Sequence, residues 1–82
     1  MRLYNKRLSR ITFFSNLARV TQQELCLSIS QGFKDDYNRN VPEEKIIEVF
    51  IECEIQVSLS ANNVELVRND DLLNAISILL KS

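Results

Sequence analysis

Histidine and tryptophan are absent, and glycine and proline occur once each. Without histidine, no side chain has an ordinary pKa near neutral pH for general acid–base work, and a metal ion loses its commonest protein ligand. One glycine cannot build a glycine-rich phosphate loop. So few chain breakers also argue against a turn-rich sandwich or barrel and in favour of helices. Cys26 and Cys53 form neither a C-x-x-C pair nor a secreted disulfide framework, so both read as small buried hydrophobes. No cofactor is expected. No apolar run approaches the roughly 18 residues of a membrane span. The apolar part of the basic N-terminal region, Ile11 to Phe14, is interrupted by Thr12, Ser15 and Asn16, which is too short for a secretory core. A cytoplasmic protein that does not enter membranes is expected.

What is present is 82 residues, enough for one domain. A chain this short buries only about 60% of its unfolded surface, so a homodimer is an expected way to hide one more apolar face. The net charge is −1, unevenly placed. Arg2, Lys6, Arg7, Arg10 and Arg19 precede the first acidic residue, Glu24. Residues 20–82 then carry five basic and eleven acidic side chains, a balance of −6. Residues 1–8 read as a mobile or loosely docked basic arm. Arg2, Lys6, Arg7 and Arg10 are its candidate contacts to nucleic acid or to an acidic partner.

The stretch from Asn40 to about Ser60 organises the rest. As a helix, Asn40 would cap it, Pro42 would fall in the first turn, and Glu43 and Glu44 would meet the positive end of the dipole. Ile46, Phe50, Cys53 and Val57 follow at helical spacing, with Glu44, Glu48 and Glu52 in a separate row. A strand over residues 49–59 competes, since Val49, Ile51, Cys53, Ile55, Val57 and Leu59 alternate with more polar residues. The start signals and the length favour the helix.

Elsewhere, Ser9 is placed to cap a short helix from Arg10 to Leu17. Thr21 and Glu24 form a capping-box pattern opening a second helix that ends near Asp35. Val64 to Val67 is too short to classify. Asn69 or Asp70 can cap a last helix whose Leu72, Leu73, Ile76, Leu79 and Leu80 share a face. The expected fold is all-α: a single domain of three to four helices forming a homodimeric bundle, with an α+β arrangement built on the 49–59 strand as the alternative. Phe50, Leu73, Ile76 and Leu80 are the expected core or dimer face.

No activated-nucleophile motif is present, and an enzyme is not expected. The row Glu44, Glu48 and Glu52 is the candidate docking surface for a basic protein patch, set against the plainer reading of a solubilising face.

Thr21-Gln22-Gln23-Glu24, then Arg39-Asn40-Val41, then Ile46-Ile47, resemble the small enterobacterial connector proteins of the YmgB/AriR and YcgZ kind, regulators of biofilm development. The likeness covers about residues 11 to 55, and Val67-Arg68 before the last helix; this chain carries additional residues around Ser58 to Glu65. The resemblance implies a cytoplasmic, non-enzymatic, all-helical homodimer. It would act by protein contact on a phosphorelay response regulator and change biofilm, capsule or stress gene expression. It carries over no catalytic residues. Two other expectations remain open: a nucleic-acid-associated transcription modulator, and a phage- or plasmid-type inhibitor with an acidic surface.

Overall fold

Strand and helix share this chain. The computed structural model describes residues 10–61 and 63–81. In chain order they form β1 (Arg10–Phe13), a 3-10 turn (Phe14–Asn16), α1 (Arg19–Tyr37), α2 (Glu43–Glu52), β2 (Gln56–Ser60), β3 (Asn63–Leu66) and α3 (Asp70–Lys81). The strands make one antiparallel sheet in the order β1-β2-β3. The fold is therefore α+β, and the all-α bundle is corrected.

The segment expected to be a helix from Asn40 to Ser60 divides in two, for reasons that lie in its backbone. Val41 precedes a proline, which pushes its backbone away from the α region. The helix accordingly starts after Pro42, with Pro42 rather than Asn40 at the N-cap position. It ends at Glu52 because Glu54 turns left-handed, with φ at 55°. The Glu54 amide then donates to the Ile51 carbonyl at 3.2 Å, and the Ile55 amide to the Phe50 carbonyl at 3.1 Å. Those two bonds are a Schellman closure, with buried Ile55 and Phe50 supplying its usual apolar contact. Beyond it, β-branched Val57 enters β2. The strand alternative thus holds only for Gln56–Ser60 and not for Val49 to Glu52, which are helical, nor for Cys53, which caps the helix.

The expected helix from Arg10 to Leu17 is instead β1 and the 3-10 turn; Ser9 lies outside the described residues. Its register, Ile11 opposite Ser58 and Thr12 opposite Val57, sets Ile11 and Phe13 on the outer face of the sheet, 56% and 44% exposed. α1 opens at Arg19, before the Thr21 capping box, with Ala18 at the N-cap position. A buried Gln22 fixes this entry, its Nε2 donating to the Phe14 carbonyl at 3.0 Å. At the far end α1 runs past Asp35 to Tyr37, where Asn38 is left-handed with φ 55°. Asparagine tolerates that region better than most residues. Val64 belongs to β3, whose partner residues Val57 and Leu66 face each other.

The core lies between one face of the sheet and the helices. Its centre is an edge-to-face pair, Phe14 and Phe50, with ring centroids 5.3 Å apart. Ile46, Ile55, Val57 and Leu79 surround the pair, each fully or almost fully buried. α3 follows the expectation from sequence: the Leu72 amide donates to Asn69 Oδ1 at 3.1 Å, Asp70 and Asp71 open the helix and Lys81 closes it.

Candidate functional site

α2 buries Ile46, Ile47, Val49 and Phe50 and leaves its other side to solvent. Glu44, Glu48 and Glu52 all fall on that open side. Four-residue spacing keeps them in one row, which runs about 12 Å along the axis at 1.5 Å per residue. Lys45 Nζ lies 4.0 Å from Glu48 Oε1, both side chains well exposed, so this pair adds little stability. Among the described residues, neither Glu44 nor Glu52 has an ion-pair partner. Beside the row stands Ile51, 43% exposed. The site is therefore an acidic ridge with one apolar contact point, on a helix whose opposite face is anchored in the core. The sequence places the three glutamates in this row but gives no sign of Ile51 as part of it beyond its position three residues after Glu48, a spacing that makes helix neighbours.

The other candidate residues fall in different places. Arg10 is exposed at the start of β1; Arg2, Lys6 and Arg7 lie outside the described residues. Phe50 is 1% exposed and belongs to the core of the single chain. Leu73 is 65% exposed, while Ile76 and Leu80 are half-buried. Arg39 donates from its guanidinium to the Leu80 carbonyl, so a cation meets the negative end of α3.

A second feature had no sequence signal because tertiary packing creates it. α2 packs against both α1 and α3, and an apolar cleft opens between α1 and α3. Its wider part, about 820 Å³, runs along β3 past Leu25, Val64, Leu66, Leu73 and Ile76. Its narrower part, about 210 Å³, shares Leu66 and Ile76 and reaches Gly32, Phe33 and Tyr37.

Cys26 is fully buried, and that burial, with the Glu43 carboxylate adding to it, pushes its thiol up from 9.0 to about 12. Such a thiol is neutral and a poor nucleophile at physiological pH. Cys53 is half-buried, and both cysteines are free. Among the described residues no three histidine, cysteine, aspartate or glutamate side chains group so as to hold a metal ion. No described helix is long and apolar enough to cross a membrane.

The class that fold and site define is a small α+β domain with a charged helix face and an apolar cleft. No family model, curated protein or solved structure matches the chain.

Proposed function

We propose that this chain is a non-enzymatic adaptor that docks the outer face of α2 onto a basic surface of a regulatory protein. The observation that carries the reading is the open row Glu44, Glu48 and Glu52 with Ile51 beside it. Carboxylates four residues apart repel, at about 0.2–0.5 kcal/mol per pair. A partner presenting lysine and arginine side chains relieves that repulsion, and complementary charge raises the on-rate and selects the partner. Ile51 adds an apolar anchor inside the charged frame.

A phosphorelay response regulator is the partner class that the resemblance to connector proteins implies, with biofilm, capsule or stress gene expression as the output. Cytoplasmic action belongs to the same proposal. A homodimer is not required by it: Phe50, the aromatic expected at a dimer face, is covered within one chain. The buried, neutral Cys26 and the lack of histidine support a role in contact rather than chemistry.

Capture from a nuclease-treated bacterial lysate tests the reading, comparing the natural chain with an E44K/E48K/E52K variant. The natural chain should retain a response regulator, less of it as salt rises, and the variant should lose it while keeping its circular dichroism. Equal capture by both would remove the ridge from the mechanism. Recovery that disappears with nuclease would point to the basic N-terminal residues and nucleic acid.

A further inference from the structure

β3 is an outer strand of the sheet, and it forms one wall of the cleft between α1 and α3. The backbone groups on its free edge follow from the pairing. Beyond Val57 opposite Leu66, the Val67 amide donates to the Gln56 carbonyl at 3.1 Å. Bonded and non-bonded pairs alternate along an antiparallel ladder. Asn63 and Glu65 therefore bond to β2, whereas Val64 and Leu66 turn their N–H and C=O groups outward. The other side of β2 agrees with this: the Phe14 amide donates to the Ile55 carbonyl at 2.8 Å, so Ile55, Val57 and Leu59 serve β1. Among the described residues, no hydrogen bond reaches the outward groups of Val64 and Leu66.

The cleft runs beside this edge rather than over one face of the sheet. Val64 and Leu66 share the helix side of the sheet with buried Val57, and Glu65 lies on the opposite side. All three line the same space of about 820 Å³, as they do when the space lies alongside the strand. Leu73 and Ile76 of α3 form its apolar wall, Leu73 being 65% exposed. The edge, four residues long, extends about 13 Å. Its surroundings are acidic: Asp36, Glu65 and Asp70 stand against one cation, Arg68. None of these four is in an ion pair among the described residues.

We infer that the free edge of β3 receives an extended basic segment of a partner protein as an antiparallel fourth strand. The outward groups of Val64 and Leu66 supply its main-chain hydrogen bonds, and the cleft takes its alternate side chains. Apolar side chains on one face of the segment cover Leu73 and Ile76. Basic ones on the other face lie beside Glu65, in the field of Asp36 and Asp70. This surface is separate from the α2 ridge and independent of what that ridge binds.

The probe is an acetylated and amidated heptapeptide of alternating lysine and valine, added to the ¹⁵N-labelled full chain. With peptide at about ten times its Kd, amide exchange at Val64 and Leu66 should slow by about tenfold. The Glu65 amide, already bonded to β2, should change little. N-methylation of the valines removes the donors that face β3 without altering charge, and should abolish this protection. Val64→Pro removes an outward donor while sparing the bonds to β2, and should weaken binding by roughly fivefold. Equal protection by the N-methylated peptide, or shifts confined to Glu44, Glu48 and Glu52, would leave charge attraction alone and overturn the inference. So would slow exchange at Val64 and Leu66 in the free protein. Protection lost on dilution would assign the edge to a second copy, and protection independent of concentration to a cover within the chain.

Discussion

Replacing Glu54 with glycine should stabilise the protein, although the same change in a helix would weaken it. Glu54 holds φ at 55° between α2 and β2, a region that disfavours a Cβ by roughly 1–2 kcal/mol. Glycine removes that term but gains about 0.5–1 kcal/mol of unfolded-chain freedom. Removing a carboxylate from the negative end of α2 returns a further 0.3–1 kcal/mol, roughly. The sum favours the folded variant by about 1 kcal/mol. With a slope of about 1 kcal/mol per molar urea, the unfolding midpoint should rise by about 1 M. Glu48→Gly, inside α2 and 66% exposed, is the control and should lose about 1 kcal/mol. If residues 43–60 were one continuous helix, both variants would lose stability. A lower midpoint for Glu54→Gly would refute the left-handed closure and the helix-to-strand switch that depends on it.

Phe50→Ala should lose about 3–5 kcal/mol, because it empties a site 1% exposed against the Phe14 ring; Phe50→Asp should leave no cooperative unfolding transition, and a folded aspartate variant would contradict the core assignment. Asn69→Ala should lose about 1 kcal/mol in urea unfolding, since it removes the acceptor for the Leu72 amide. At neutral pH a thiol reagent should modify Cys53 readily and Cys26 only as fast as the chain opens. Because folding raises the Cys26 pKa, its contribution to stability is full below pH 9.0 and is lost as pH climbs toward about 12; a Cys26→Ala variant should lack that part of the alkaline loss measured by denaturant midpoints.

The parts of the fold that could be read in advance are those with local chemistry behind them. α3 has its cap and its acidic first turn in the sequence, and both operate as read; its apolar spacing buries Leu72 and Leu79, but Leu73, expected on the same face, is 65% exposed. The body of α1 was equally visible, but its start was not: Gln22 bonding to Phe14 is a tertiary contact eight residues apart that no capping pattern announces. The switch after Glu52 was hidden because no glycine or proline marks it. Ile46, Phe50, Cys53 and Val57 fit a helix even though the last of them is in a strand. β1 was hidden by a similar coincidence, Ile11, Phe14 and Leu17 matching helical spacing while Ile11 and Phe13 share the outer face of an edge strand. The acidic ridge was legible because all three glutamates lie within the ten residues that are helical. The cleft was not, since it exists only once α1, β3 and α3 are brought together.

The docking role proposed for α2 is tested most directly by titrating the ¹⁵N-labelled protein with a response regulator recovered in the lysate capture. The account predicts amide shifts centred on Glu44, Glu48, Ile51 and Glu52, weakening as salt rises. Shifts confined to the α1–α3 cleft or to β1, with α2 unmoved, would contradict it.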